Sequence, residues 1–277
     1  MDAKQSKGLK RNTIDKYYTK GIVVEQCLNI FKEYILLSVE DLIVEPSAGN
    51  GSFISGIKAL TSNYRFYDIE PDNSEIIKQD YLQYDYGIIK SAFSKIHVMG
   101  NPPFGRQSSS AIKFIKKSCE FCDTIAFILP KSFKKDSLKQ RFPLNFHLLC
   151  EIDLPDKSFL VDDIEYNVPC IFQIWEKRDT NRFVADKLEP TNFEFVKKTE
   201  SPDISFRRVG VNAGAIDVTI ENKSIQSHYF IKFTSEYLAT PEYIRRLSQL
   251  TYDFNNSVGP KSISKQELIY KFNQVLQ

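Results

Sequence analysis

The 277-residue sequence is short of several features that would settle its class at once. It has three histidines, scattered at His97, His147 and His228, so there is no pair at metal-ligand spacing and no evident general base. Its five cysteines, an odd number without a regular framework, fit a reducing compartment and exclude a disulfide scaffold. Cys119 and Cys122 do form a CxxC, yet they fall in the helical pattern SAIKFIKKSCEFC with no second pair, and ordinary packing is expected of them. No run approaches the roughly 18 apolar residues of a membrane span. The residues after Met1, DAKQSKGLKRN, lack the apolar centre of a signal peptide, so a soluble, cytoplasmic protein with no membrane partner is expected. Charge of one sign is lacking too. With 37 Lys+Arg against 35 Asp+Glu the net charge is +2, which makes no whole-chain case for a polyanion, and any basic surface must be local.

What is present is alternation. Apolar residues recur at helical spacing from Gly21 to Leu37, and strand-like runs then alternate with helical ones. LIVEP precedes a helix from about Ser52 to Leu60, YRFYDIEP a brief helix, KIHVMGNPPF a helix from about Ala111 to Cys122, and TIAFILP a basic helix. This rhythm predicts an α/β domain with an open, mostly parallel sheet. FHLLCEIDLP and VPCIFQIWEK follow with no convincing helix between them and predict an antiparallel pair that closes the sheet. Past Trp175 the texture becomes polar and irregular. A boundary falls near Arg182, giving residues 1–181 as one domain and 182–277 as a smaller one, the latter ending in a helix capped by serine in SISKQELIYKFNQVL.

The chemistry sits at strand ends. LIVEPSAGNGSF places a strand, an acid, a glycine turn and a helix start in line, so Glu45, Gly49 and Gly51 are expected to touch a ligand at the carboxyl edge of the sheet. The spacing is neither GxGxxG nor a P-loop, and an acid at that place suits a cationic or hydroxyl-rich ligand. Asp68 ends the next strand where ribose hydroxyls are commonly held, with Glu70 as the alternative two residues on. Asp80, in KQDYL, could accept a hydrogen bond from an adenine amino group. VMGNPPFG adds one amide, two prolines and one ring. Asn101 offers a side-chain oxygen and Pro102 a carbonyl, two acceptors that could draw on the hydrogens of a planar amino group and free its lone pair, with the prolines supplying rigidity and Phe104 a stacking face.

In that order, and preceded by DKYYTK, the motifs EPSAGNGSF, YDIEP, QDYL and NPPF closely resemble the S-adenosylmethionine-dependent amino-methyltransferases, in particular the adenine-specific DNA enzymes of the gamma arrangement. The resemblance covers about 160 residues, Asp15 to Lys177, and NPPF is its specific element. It implies a Rossmann-like class I methyltransferase fold with a seven-stranded, mostly parallel sheet flanked by helices, followed by a C-terminal α+β region that recognises the target. It implies S-adenosyl-L-methionine held by Tyr18, Thr19, Glu45, Ser47, Gly49, Gly51, Asp68, Asp80, Tyr81 and Asn101, and catalysis by Asn101, Pro102, Pro103 and Phe104 without a metal. The implied product is N6-methyladenine. The partner is a nucleic acid, DNA ahead of RNA, and a duplex target requires base flipping. Phe159, from PDKSFLVDDIEYN, is the candidate second wall for the base, with Tyr166 behind it as an option.

Between Gly105 and Arg141 nine basic residues face three acidic ones, and Lys131, Lys134 and Lys135 cluster after FILP as candidate phosphate contacts, with Arg207 and Arg208 added from the tail. Two other readings stand beside this one. RNA adenosine, including that of a cap, presents the same amine to NPPF, and a methyltransferase fold that only binds nucleic acid is the non-enzymatic case. Methyltransferases of glutamine side chains share the motif but carry a helical head and end soon after the sheet.

Overall fold

The computed structural model describes residues 17–161, 163–184, 186–252 and 261–277, the side chain of residue 88 apart. Asp15 and Lys16, which open the DKYYTK motif, lie outside the described residues. The chain divides into two compact units after Arg182.

The first unit is built on one seven-stranded sheet. Its members are β2 (Leu42–Glu45), β3 (Tyr64–Asp68), β4 (Ile77–Lys78), β5 (Ile96–Gly100), β6 (Thr124–Pro130), β7 (Phe146–Asp153) and β10 (Cys170–Lys177), in the order β4-β3-β2-β5-β6-β10-β7. The pairs from β4 through β6 are parallel. β10 runs antiparallel to both of its neighbours, as FHLLCEIDLP and VPCIFQIWEK predict. β2, β5 and β6 are buried along their whole length, which explains why they read as unbroken apolar runs: helices cover both faces of the sheet. α1 (Gly21–Tyr34) and α2 (Ile54–Leu60) contribute Val24, Cys27, Leu28, Phe31 and Ile57 to one core. α4 (Ser109–Cys119) contributes Ala111, Phe114 and Ile115 to the other, which also takes in Cys122. Cys122 is fully buried, and burial lifts both CEFC thiols, Cys119 to about 12, so neither is a reactive thiolate.

Three elements differ from the expectation. The basic helix after FILP is a 3₁₀ turn at Lys131–Lys134 and a single α-turn, α5 (Asp136–Lys139). After YRFYDIEP the chain turns into β4 instead of a helix, and α3 (Gly87–Lys90) is one turn long. The segment between β7 and β10 is a hairpin of β8 (Phe159–Val161) and β9 (Ile164–Tyr166), and β8 pairs with β1 (Tyr18–Thr19), Tyr18 opposite Leu160 and Thr19 opposite Phe159. Lys20 is bound to Glu165 of β9, and Lys157 reaches the same carboxylate at 3.2 Å.

Unit 1 ends on Arg182. Its guanidinium donates to the carbonyls of Lys139, Phe142, Pro143 and Phe146 and lies 5.4 Å from the Trp175 ring, on which Phe142 is stacked at 4.0 Å. The second unit is α+β. Its antiparallel sheet has the order β11 (Phe193–Val196), β14 (His228–Phe233), β12 (Ile204–Arg207), β13 (Ile216–Asp217). Leu247 of α6 (Pro241–Ser248) and Leu268, Ile269 and Phe272 of α7 (Lys265–Leu276) pack with Phe193, Phe206 and Ile231 in its core. Ser264 caps α7 by accepting the Glu267 N–H, as its sequence pattern predicts. No helix among the described residues is long and apolar enough to cross a membrane.

Candidate active site

A pocket opens at the carboxyl ends of β2, β3 and β5, where an open parallel sheet places its ligands. On one side is the loop after β2. Here the structure changes the expectation, because N–H groups of the loop are already taken by the loop itself and by the end of β3. Gly49 N donates to Asp68 Oδ2 at 2.8 Å, Gly51 N to Ala48 O at 2.7 Å, Ser52 N to Asn50 Oδ1 at 3.2 Å and Ile54 N to Gly51 O at 3.0 Å. A turn closed in this way is a shaped cradle and offers little to a phosphate. Gly49 has φ +54°, and a Cβ there would lie 3.2 Å from the Tyr18 ring, so glycine is needed both for the turn and for the approach of β1. Asp68, expected to hold a ribose, also accepts the Glu70 N–H at 2.8 Å and so pins the loop to the end of β3.

On the other side is NPPF. Gly100 lets the end of β5 close on β2, since a Cβ there would stand 3.0 Å from Glu45 Cγ. Asn101 is then fixed at three points. Ser47 Oγ donates to its carbonyl at 3.1 Å, and its Nδ2 donates to Tyr17 O at 3.2 Å and to Thr19 Oγ1 at 3.3 Å. A backbone carbonyl only accepts, so the Tyr17 contact orients the amide: the nitrogen faces β1 and the oxygen faces the other way. Asn101 Oδ1 is buried and has no partner among the described residues. Glu45 is in the same condition. It is 2 % exposed, its Oε2 lacks a partner among the described residues, and burial, reinforced by the charge of Asp68, pushes its pKa up to about 8. Two buried polar atoms without partners are costly unless a ligand supplies them.

Of the residues expected at the site, Tyr18, Thr19, Glu45, Ser47, Gly49, Asp68, Asp80, Tyr81, Asn101, Pro102, Pro103 and Phe104 line this one pocket. Gly51 does not line it and shapes the turn behind Gly49. The Tyr81 ring is stacked on Phe114 at 5.3 Å, and its hydroxyl meets Ser118 at 2.8 Å in the core. Phe159 is a correction. It is fully buried, lies outside the pocket lining and meets Phe104 edge-on at 6.5 Å, so it backs the ring that faces the pocket.

β7 brings acids to the basic cluster. Lys131 and Lys134 both pair with Asp153, at 3.2 and 2.7 Å, and Lys139 pairs with Glu151 at 3.0 Å. Lys135, the third expected phosphate contact, follows them in the short turn before α5, is half-buried and does not line the pocket. In unit 2, Arg207 Nε donates to Val209 O at 2.8 Å, and Arg208 donates to Gln226 O at 2.7 Å with its guanidinium over the Tyr229 ring. The sequence reading missed Tyr17, Phe53, Ile69, Leu82 and Phe114 in the pocket wall. Phe53 and Phe114 carry the same helical and apolar signal as core residues, and only topology separates the two cases. Among the described residues no group of three or more His, Cys, Asp or Glu is placed to hold a metal.

No protein-family profile and no curated protein sequence matches the chain. Solved structures do resemble it. A Pyrococcus horikoshii protein provisionally described as an RNA methyltransferase is 16 % identical, with TM-score 0.44 over 62 % of this chain and 93 % of that one. The 23S rRNA methyltransferase ErmE is 12 % identical, with TM-score 0.43 over 61 % and 72 %. A Streptococcus mutans protein provisionally described as a methyltransferase, solved with SAH, is 15 % identical, with TM-score 0.37 over 56 % and 97 %. Likenesses of that size assign neither residue roles nor a substrate.

Proposed function

We propose that unit 1 binds S-adenosyl-L-methionine and moves its methyl group to the N6 amino group of adenine in DNA, with unit 2 recognising the target. The observation that carries this reading is the amide of Asn101, held so that a buried, unpartnered oxygen faces away from β1 at a pocket that Phe104 also lines. Such an oxygen needs an N–H donor, and an exocyclic amine has two.

The pocket suits the cofactor on its other side. Glu45, buried and short of a counter-charge, would face the cationic amino-acid end, and Ser47 and the closed glycine loop would lie along it. Asp68 and Glu70 would take the ribose hydroxyls. Asp80 would accept from the adenine amine, with Ile69, Leu82 and Phe114 against the ring. A loop whose N–H groups are already bonded to itself and to β3 fits a cofactor without phosphates better than a dinucleotide. When bound, the cofactor supplies a methyl carbon made electrophilic by a sulfonium.

The residues of the chain act on the nucleophile. Asn101 Oδ1 and the Pro102 carbonyl accept the two amino hydrogens, draw the nitrogen toward a tetrahedral shape and aim its lone pair. The nitrogen would then take up the methyl carbon that the bound cofactor supplies, its C–S pair remaining with the departing thioether, and would give up one N–H proton to solvent. The two prolines hold both acceptors in place beforehand. The order of the motifs and the α+β unit after the sheet support DNA as the polymer.

The test is tritiated methyl transfer from S-adenosylmethionine to duplex DNA, single-stranded DNA, and capped and uncapped RNA, followed by nucleoside analysis. Label in N6-methyladenine from DNA is the expected result. Label in RNA alone replaces the polymer, label in guanine or in protein glutamine removes the reading, and cofactor binding without transfer to any acceptor leaves a non-catalytic nucleic-acid binder.

A further inference from the structure

A planar base whose amino group meets Asn101 Oδ1 is gripped best when both of its faces are covered. Phe104 covers one. The residue expected to cover the other, Phe159, is sealed behind Phe104 and has no surface to offer. We propose that the second wall is the side chain of Tyr17, and that the pair Phe104 and Tyr17 restricts the site to heteroaromatic amines, excluding the amide of a glutamine side chain. The inference rests on the amino-transfer reading above and goes further, by naming the residue that selects the acceptor.

Three observations support this assignment. The Tyr17 carbonyl is the acceptor that orients the Asn101 amide, so Tyr17 and the catalytic oxygen are joined through a single side chain. Tyr17 directly precedes β1, and the next residue, Tyr18, is the one that occupies the glycine loop, with its ring against Gly49 and its hydroxyl on Asp72. Finally, the Tyr17 ring has the company expected of a base wall. It lines the pocket, lies 6.4 Å edge-on to Phe159 and meets the Tyr166 ring at 5.5 Å, while Phe104 contacts the same Phe159 from its own side. Phe159 is thus a shared backing for two rings. Tyr166, carried by β9, braces Tyr17 through the small sheet formed by β1, β8 and β9. A glutamine amide has no ring to place between two aromatic faces and would gain little from them.

The experiment uses the full chain with Tyr17→Leu, Tyr17→Phe and Phe159→Leu. The probes are tritiated S-adenosylmethionine, unmethylated bacterial DNA and total RNA, with cofactor affinity measured separately by calorimetry. Tyr17→Leu keeps the backbone carbonyl that Asn101 uses, so its kcat/KM on the accepted polymer is expected to fall about twentyfold, within the range for loss of one base-stacking ring. Its cofactor Kd is expected to stay within about threefold, and Tyr17→Phe, which restores the ring, to recover most of the loss. Phe159→Leu lowers the melting temperature more than it lowers kcat/KM. The inference is overturned if Tyr17→Leu transfers as well as the unchanged chain, if Tyr17→Phe fails as badly as Tyr17→Leu, or if cofactor affinity falls in step with transfer. An unchanged chain that labels no adenine in any polymer overturns the parent reading, and this inference with it.

Discussion

β2 and β5 lie side by side in the centre of the sheet, and their two ends handle buried polar groups in opposite ways. At the carboxyl ends, Glu45 and Asn101 each leave an oxygen without a partner among the described residues, and both line the pocket. At the amino ends, Asp41 and His97 turn to each other, Nε2 to Oδ2 at 3.4 Å, and Ser38 N adds a bond to the same oxygen at 2.8 Å. Each of these two also keeps one atom without a partner among the described residues, His97 Nδ1 and Asp41 Oδ1, but neither residue lines the pocket. Burial alone therefore does not mark a site. What separates the two ends is whether the polar groups answer one another or wait for something from outside.

The contrast is broken most severely at Asn101. Asn101→Ala removes the oriented acceptor, and a loss of transfer of about 100- to 1000-fold is expected with cofactor affinity within a few-fold, measured by single-turnover kinetics and calorimetry. Unchanged methylation would show that the amide is not the catalytic acceptor. At the other end, Asp41→Ala leaves His97 buried without its partner. It should lower stability by about 2 kcal/mol, seen as a melting temperature roughly 5 °C lower, with cofactor affinity untouched. A loss of affinity instead would mean that the two ends are coupled.

Acidity sharpens the same comparison, because the two ends respond with opposite sign. Glu45 has a folded-state pKa near 8 against an ordinary 4.5, so the folded apo protein holds a proton there that the unfolded chain releases, and stability from this group falls as pH rises from about 4.5 to 8. Burial lowers His97 below its ordinary 6.5, so its contribution is lost as pH falls below about 6.5. A cationic ligand beside Glu45 expels the proton. Calorimetry of S-adenosylmethionine at pH 7 in buffers of different ionisation enthalpy should report release of most of one proton, fading above about pH 9 and absent in Glu45→Gln. The smallest effect is expected at the lysines. Lys134→Ala removes an exposed pair to Asp153 worth on the order of 0.5 kcal/mol, within reach of chemical denaturation, and should leave cofactor affinity unchanged.

Much of this was legible beforehand. The strand–turn–helix rhythm, the two strand-end acids and NPPF are local patterns, and the antiparallel closing pair announces itself by two long apolar runs without a helix between them. Other features were hidden for physical reasons. β1 has two residues and no periodicity, and its partner β8 lies far along the chain, so nothing local tells Tyr17 from Tyr18. The lysines after FILP look like a charge surplus because the carboxylates that answer them, Asp153 and Glu151, come from the neighbouring part of the sheet. Phe159 and Phe104 are both aromatic residues near a loop, and only the packing decides which is the wall and which its backing.

The pairing of β1 with β8 also sets a timetable for synthesis. The strand that carries Tyr18 and Thr19 leaves the ribosome about 140 residues before Leu160 and Phe159, the residues it must pair with. β2, β3, β4, β5 and β6, which pair with near neighbours in the chain, can assemble in that interval. The bonds from Asn101 Nδ2 to the Tyr17 carbonyl and the Thr19 hydroxyl therefore depend on a strand whose partner is made late. The parallel strands of the sheet are thus synthesised before β8 can seat β1 beside Asn101, and β10, which closes the sheet, follows the hairpin.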